Sequence, residues 1–188
     1  MQESSLNGVE PNQSPRGRAA ILVRLQGMIL ISDSQSSHIT MAPTNILLVE
    51  DNKIDARLMR HAFQNIANWP SSIHVVDDGE KAIKFLRRES VYEEAVKPDL
   101  IVLDLNLPKY DGTEVLKMIR ASEDLRHLLV FIFSSSPVDI AEDRVESADV
   151  KADRYFEKPN EVGTYLAIAT QIGEDYRRAT LERLSASA

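Results

Sequence analysis

Short runs of apolar residues alternate along the chain with longer stretches in which apolar residues recur every three or four positions. The short runs predict strands, and the most continuous of them, Leu100–Leu103, is expected to be covered on both faces of a sheet. The longer stretches predict amphipathic helices, each with one packed face. The predicted strands cover residues 45–49, 73–76, 100–103, 128–133 and 154–157.

The predicted helices follow these strands, at about residues 54–67, 80–88, 113–121, 138–148 and 160–184. A strand followed by a helix, repeated five times, predicts an α/β fold with a parallel sheet, helices on both of its faces and right-handed crossovers. The packed stripe of the first helix is expected to contain Ile54, Leu58, Ala62 or Phe63, and Ile66. That of the last helix is expected to contain Val162, Leu166, Ala169, and Ile172 or Gly173.

Residues 1–43 differ in composition from the rest of the chain. The segment Glu3–Arg18 is rich in Ser, Asn, Gln, Pro and Gly, which is typical of a disordered tail. The apolar segment Ala19–Ile31 is interrupted by polar residues and Gly, so we expect at most one short strand or helix there. We therefore predict a flexible extension over 1–43, a folded domain over 44–184 and a short tail over 185–188.

Composition narrows the classes of function. The 188 residues, 43% of them hydrophobic, are enough for one domain with a real core. The net charge of -7 argues against a nucleic-acid surface, and no apolar stretch reaches the roughly 18 residues that cross a bilayer. The chain has no cysteine, which excludes disulfides and thiolate metal sites and fits a cytoplasmic location.

Polar side chains stand at the ends of four of the five predicted strands: Glu50 and Asp51, Asp104, Ser134 and Lys158. The carboxyl ends of parallel strands meet at one edge of a sheet, so these residues are expected to converge there. Simpler interpretations stay open, because the two acids can begin a helix, Asp104 can cap its strand, and the serine can belong to the N-cap of the next helix.

Three carboxylates crowded at this edge would repel one another, and a hard divalent cation would relieve that repulsion. Carboxylate oxygens and a backbone carbonyl, which Asn106 could supply, suit Mg²⁺. Lys158 adds a compact positive charge, and Ser134 adds one hydroxyl donor. Such a site suits phosphoryl transfer, in which Asp104 attacks phosphorus and forms an acyl phosphate.

Five short motifs in this order, on these elements, resemble the receiver domain of two-component response regulators. They are Leu48–Asn52, Leu103–Pro108, Asp111-Gly112, Ser134 and Lys158-Pro159. The resemblance covers about residues 44–180. It implies a flavodoxin-like, doubly wound sheet of five parallel strands in the order 2-1-3-4-5, with five helices in three layers.

The resemblance also implies a role for each site residue. Asp104 would accept a phosphoryl group from a sensor histidine kinase, while Glu50, Asp51, Asp104 and the Asn106 carbonyl would hold Mg²⁺. Lys158 would stabilise the phosphoryl group, and its peptide bond to Pro159 is one that is commonly cis in this family. Ser134 and Tyr155 would be the switch residues. The protein would be a phosphoacceptor rather than an enzyme, although it would assist its own phosphorylation and dephosphorylation.

Two features resemble the stand-alone regulators that are paired with phytochrome-type sensor kinases. These are the long connection over 89–97 and the string Asp-Leu-Asn-Leu-Pro-Lys-Tyr-Asp-Gly over 104–112. The chain ends soon after the last predicted helix, so no output domain is expected. The switch would then act on a binding face built from the helix after the fourth strand, the fifth strand and the last helix.

The last helix carries further apolar and aromatic residues beyond its packed stripe: Tyr165, Ile168, Tyr176 and Leu181. If they are exposed, they mark an interface, and we therefore predict a homodimer through this helix. The alternative is that these residues pack on their own domain or on the apolar segment near the N-terminus.

Two other functions compete with a phosphorylated switch. One is a receiver-like interaction module that works without phosphorylation, which loss of an acid or of the lysine would favour; this sequence retains them all. The other is a Mg²⁺-dependent phosphohydrolase with an aspartyl phosphate. Such an enzyme needs a second Asp as general acid two residues after the nucleophile, where this chain has Asn106.

Overall fold

The structure is a computed structural model that describes residues 21–25, 28–33, 36–41, 43–135 and 151–186. The chain divides into two units, Met1–Thr40 and Met41–Ala188. Among the helices that the structure describes, none combines the length and the apolar character needed to cross a membrane.

The first unit contains a sheet of three strands in chain order, β1 (Ile21–Leu25), β2 (Met28–Asp33) and β3 (Ser36–Met41). Strands β1 and β2 are antiparallel. The prediction of at most one short element in Ala19–Ile31 is therefore wrong, because two apolar segments close in sequence satisfy their backbone groups by pairing with each other. The segment Glu3–Arg18, for which a disordered tail was predicted, lies outside the described residues.

The second unit alternates strands and helices along the chain. Its elements are β4 (Thr44–Val49), α1 (Lys53–Gln64), β5 (Ser71–Val76), α2 (Gly79–Arg87), β6 (Leu100–Leu103), α3 (Gly112–Ala121), β7 (Leu129–Ser134), β8 (Arg154–Glu157) and α4 (Tyr165–Ala186). The strands pair in the order β5-β4-β6-β7-β8, and every pair is parallel. The predicted strand order is confirmed. The helix predicted over 138–148 lies outside the described residues.

The core is divided by the sheet into two layers, because side chains alternate across each strand. One face packs on α1 and α4 through Ile46, Leu48, Leu100, Val102, Phe131 and Phe133. The opposite face packs on α2 and α3 through Leu47, Val49, Ile101, Leu103, Val130 and Ile132. Strand β6 is buried along its whole length, as predicted for a strand that helices cover on both faces.

The packed stripe of α1 differs from the prediction at its start. The helix begins at Lys53, and the Asn52 side chain accepts hydrogen bonds from the backbone N–H groups of the first turn. Ile54 lies on the outer side of that turn and is 69% exposed. The buried residues are Ala56, Met59, Ala62 and Phe63.

The packed stripe of α4 is also shifted. Val162–Thr164 forms a separate 3₁₀ helix, so the α-helix begins only at Tyr165. Val162 and Leu166, both predicted to be packed, are therefore exposed. The buried stripe is Tyr165, Ala169, Ile172, Tyr176 and Ala179.

This register removes part of the basis for the predicted dimer. Tyr165 and Tyr176 are buried in their own domain, and Ile168 is partly buried against the same core. The Tyr176 ring lies 5.9 Å from the ring of Trp69, which follows α1. Of the four residues predicted to form an interface, Leu181 is exposed. The dimer itself stays a prediction.

Candidate functional site

The connection between β4 and α1 places two acids at the carboxyl edge of the sheet. Glu50 is buried, and its backbone N–H donates to the Val76 carbonyl at 2.9 Å, continuing the pairing with β5. Its Oε1 accepts a hydrogen bond of 3.1 Å from the Asn52 backbone N–H. The next residue, Asp51, is exposed to solvent. One acid therefore faces the interior of the site and the other its mouth.

Asp104 follows β6 and is buried. Its backbone N–H donates to the Val49 carbonyl at 3.0 Å, and its Oδ1 accepts from the Asn106 backbone N–H at 3.1 Å. The first residue of α3, Gly112, packs so closely that a Cβ there would lie 2.1 Å from the Asp104 carbonyl oxygen. Two backbone contacts and one glycine thus fix the position of the carboxylate.

Lys158 follows β8 and connects two of the acids. Its Nζ lies 2.6 Å from Asp104 Oδ2 and 2.6 Å from Glu50 Oε2. Its backbone N–H donates to the Ser134 carbonyl at 2.9 Å, so the ends of β7 and β8 are held together. Burial alone would lower the pKa of Lys158, but the hydrogen bonds and charges of the two carboxylates raise it overall. The ammonium therefore stays charged.

The carboxylates outnumber this one cation. Oxygens of Glu50, Asp51 and Asp104 lie within 4.8 Å of one another. Burial raises the pKa of Glu50 to about 7, with Asp104 adding to the rise and Lys158 opposing it. A set of hard oxygen donors with excess negative charge fits a divalent cation such as Mg²⁺.

Ser134, the last residue of β7, is a second observation that fits a ligand at this site. Its side chain is fully buried, and its hydroxyl oxygen has no hydrogen-bond partner within the described part of the chain. A buried hydroxyl without a partner is costly, and a ligand that brings acceptor oxygens would remove that cost. A phosphoryl group is such a ligand.

The remaining predicted residues are Tyr155 and Asn106. Tyr155 is half-buried in β8 on the α2/α3 face of the sheet, and its hydroxyl oxygen accepts from the Ala152 N–H at 3.4 Å. Asn106 is exposed in the loop after β6. The prediction of a cis bond before Pro159 is wrong, because the described residues contain no cis peptide bond and the bond has the intrinsically favoured trans form.

Two residues of the site were missed from the sequence. Asp55, in the first turn of α1, has its Oδ2 at 3.6 Å from Lys158 Nζ. Its Oδ1 accepts a 2.6 Å hydrogen bond from the Tyr165 hydroxyl of α4. An acid in the first turn of a helix is usually explained by the helix dipole, so Asp55 did not stand out as a site residue. The direction of the Tyr165 side chain could not be predicted because the register of α4 was predicted incorrectly. The clearest available signal was the position of Asp55 only five residues after Glu50.

Comparisons with known proteins agree with this arrangement. Response regulator Rcp1 from Synechocystis sp. is 36% identical over 116 residues, which are 62% of this chain and 77% of Rcp1. The solved structure of the phosphorylated cyanobacterial phytochrome response regulator RcpA is similar with a TM-score of 0.65 and 39% identity, covering 72% of this chain and 94% of RcpA. The Mn(2+)-bound form of Rcp1 has a TM-score of 0.61 and 34% identity, covering 69% of this chain and 91% of that one.

These similarities confirm the predicted flavodoxin-like receiver fold. The sequence profile of the response regulator receiver domain matches residues 46–169, a span that runs from β4 into α4 and includes every predicted site residue. The chain belongs to the family of response regulator receiver domains.

Proposed function

We propose that this receiver accepts a phosphoryl group on Asp104 from a sensor histidine kinase and changes its binding surface in response. The observation that carries the proposal is the buried Asp104 carboxylate, which Lys158 contacts at 2.6 Å beside two further acids. A buried carboxylate fixed between a backbone N–H and an ammonium is a positioned nucleophile.

In the proposed reaction an oxygen of Asp104 attacks phosphorus while the bond from phosphorus to the kinase imidazole nitrogen breaks. The nitrogen keeps the electron pair, and an acyl phosphate forms on Asp104. Lys158 faces the acceptor oxygen and stabilises negative charge on the transferred group. Glu50, Asp51, Asp104 and the Asn106 carbonyl would hold Mg²⁺, which when bound neutralises charge on the phosphoryl oxygens.

The switch follows from the hydroxyl of Ser134. A phosphoryl oxygen on Asp104 would give this buried hydroxyl the acceptor that it lacks among the described residues. As Ser134 moves toward the phosphoryl group, Tyr155 turns into the space that it leaves. The affected face comprises β8, α4 and the segment after β7. Phosphorylation then shifts the population between two packings of this face.

The partner that we propose is a phytochrome-type sensor histidine kinase. The support comes from Rcp1 and RcpA, since RcpA is a phytochrome response regulator and Rcp1 is a response regulator of similar sequence. The test is phosphoryl transfer from an autophosphorylated kinase of this type, followed by intact mass of the receiver. We expect a gain of one phosphoryl group in the wild type and none in Asp104→Asn.

The control is an autophosphorylated histidine kinase that lacks a phytochrome sensor. Faster transfer from the phytochrome-type kinase supports the proposed pairing, and equal rates contradict it. Absence of transfer from both kinases and from small phosphodonors would favour an interaction module that works without phosphorylation.

A further inference from the structure

The acid missed from the sequence, Asp55, connects two parts of the domain that are far apart in the chain. Its side chain is 20% exposed, and its two oxygens face different partners. Oδ2 lies 3.6 Å from Lys158 Nζ, and Oδ1 accepts the 2.6 Å hydrogen bond from Tyr165. Asp55 lies outside the cluster of three acids that fits a metal ion. It therefore has a different task from theirs.

Lys158 has a third carboxylate within ion-pair distance of its ammonium group. An ammonium has three hydrogens, and the carboxylates of Asp104 and Glu50 occupy two directions at 2.6 Å each. Among the described residues, Asp55 is the third acid with a carboxylate oxygen within 4.0 Å of Nζ. The ammonium also lies 5.7 Å above the centre of the Phe133 ring, which limits its movement on that side.

Tyr165 ties this arrangement to the last helix. It is the first residue of α4 and is buried, with its ring edge against Phe133 at 6.2 Å between centres. Burial and the hydrogen bond to Asp55 raise the pKa of its hydroxyl, so the hydroxyl remains a donor. The start of α4 is thus linked to the site lysine through one carboxylate.

We propose that Asp55 is a positioning residue that holds the Lys158 ammonium against Asp104, and that its bond to Tyr165 makes α4 respond when that ammonium moves. The inference rests on the proposed function. A phosphoryl group on Asp104 would draw Lys158 toward the new oxygens and away from Asp55. With the contact to Lys158 weakened, the Asp55 carboxylate would move toward Tyr165, and the first turn of α4 would shift with it.

This path differs from the one through Ser134 and Tyr155. Tyr155 packs with the core on the α2/α3 face of the sheet, whereas Tyr165 packs with the core on the α1/α4 face. Each layer of the domain would therefore have its own connection to Asp104.

Trp69 is a natural reporter for α4. It is the one tryptophan of the chain, and its ring contacts Tyr176 at 5.9 Å between centres. A Cβ at Gly173 of α4 would lie 2.6 Å from the same ring, so the helix and the indole are in close contact. A shift of α4 should change the emission of Trp69.

The experiment combines two measurements on the full chain. Labelling by acetyl phosphate with Mg²⁺, read by intact mass, reports the positioning of Lys158. The change in Trp69 emission on adding beryllofluoride and Mg²⁺ reports α4. The variants are Asp55→Asn, Tyr165→Phe and the double variant, and Tyr92→Phe on the α2/α3 side is the control.

We expect labelling to slow about 10-fold in Asp55→Asn and about 3-fold in Tyr165→Phe, because the lost contacts are hydrogen bonds or ion pairs of a charged group. The double variant should be no slower than Asp55→Asn, because both changes act through one contact. Both single variants should lose most of the emission change, and Tyr92→Phe should keep it.

Independent, multiplying effects of the two substitutions on the labelling rate would overturn the inference. So would a Tyr165→Phe variant with wild-type labelling and the full emission change. Tyr165→Phe removes one oxygen atom, and thermal unfolding checks that it folds. If the wild type itself gains no phosphoryl group, the proposed function fails; if the wild type is labelled and the variants match it, the inference alone fails.

Discussion

At the scale of single residues, the site is a balance of buried charges around Lys158. One ammonium contacts the buried carboxylates of Glu50 and Asp104 at 2.6 Å each. A buried ion pair adds little net stability, but removing the lysine would leave the two buried carboxylates without their cation. The lysine is therefore expected to matter for stability as well as for phosphoryl transfer.

We predict that Lys158→Met lowers the free energy of unfolding by about 3 kcal/mol in Mg²⁺-free buffer. The loss should be at the low end of the range for a broken buried pair, because Glu50, whose pKa is raised to about 7, can take up a proton. Urea unfolding with and without Mg²⁺ measures this, and added Mg²⁺ should recover part of the loss. The control is Lys117→Met on the exposed side of α3. Equal stability of the two variants would contradict the account.

Asp78, a third buried acid, fixes the position of a loop of the site. It caps α2, and its Oδ2 contacts Lys109 Nζ, from the loop after β6, at 2.8 Å. Burial alone would raise the pKa of Asp78, but its hydrogen bonds to Lys109 and to the Lys81 backbone N–H lower it overall. The ion pair holds the loop that follows Asp104 against α2.

The lowered pKa of Asp78 fixes the sign of a pH dependence. The carboxylate adds stability above its ordinary pKa of 3.8, and that stability is lost as pH falls through the lower folded value. Asp78→Asn should therefore cost about 1 to 2 kcal/mol at pH 7 and progressively less below about pH 4. Urea unfolding across pH measures the difference. Asp77→Asn, at a side chain that is 52% exposed, should cost less, and a constant cost of Asp78→Asn at all pH values would contradict the prediction.

At the scale of elements, the apolar runs and their alternation with helices were sufficient to predict the five strands of the main sheet and that they are parallel, and the order of the strands came from the resemblance to receiver domains. The residues that form the packed face of each helix were harder to predict. Ile54 and Val162 have the residue type of a packed position, but the Asn52 cap and the 3₁₀ turn at Val162–Thr164 place them outside the stripes. Caps and short 3₁₀ turns depend on local hydrogen bonds that hydrophobic periodicity does not report.

The candidate site also has one part that could be predicted from the sequence and one part that could not. Glu50, Asp51, Asp104, Ser134 and Lys158 could be grouped from the sequence because parallel strands bring their carboxyl ends together. The contact of Asp55 with Tyr165 joins positions 110 residues apart. It depends on the facing directions of two helices, which strand order alone does not fix.

The start of α3 gives a prediction at this scale. We expect Gly112→Ala to lower the free energy of unfolding by about 3 kcal/mol, because its Cβ would lie 2.1 Å from the Asp104 carbonyl oxygen and force the backbone apart. Gly163→Ala is the matched control, since nothing lies within 4 Å of its added Cβ. Chemical denaturation compares the two variants. A Gly112→Ala variant as stable as Gly163→Ala would show that the loop adjusts freely.

At the scale of the whole molecule, the residues of α4 that are exposed bear on the predicted homodimer. The predicted homodimer through the last helix has lost two of its four proposed contacts, Tyr165 and Tyr176, to the core of their own domain. Leu181 remains exposed at the far end of α4. Of the four residues proposed for the interface, Leu181 is the exposed one, so we place the predicted dimer contact at this end of the helix.

We predict that sedimentation at tens of micromolar shows a dimer that Leu181→Glu dissociates, because a buried charge without a partner would oppose the apolar contact. The control is Leu166→Glu, an exposed leucine near the start of α4. A wild-type monomer with and without beryllofluoride would remove the dimer, and equal effects of the two variants would remove its proposed location.

We propose above all that Asp104 is the phosphoacceptor of a Mg²⁺-dependent switch. The most direct test is intact mass after incubation with acetyl phosphate, for the wild type and for Asp104→Asn, with Mg²⁺ and with a chelator. We expect a gain of one phosphoryl group in the wild type with Mg²⁺ and no gain in the other three samples. A gain in Asp104→Asn, or no gain in the wild type together with no binding of beryllofluoride, would contradict it.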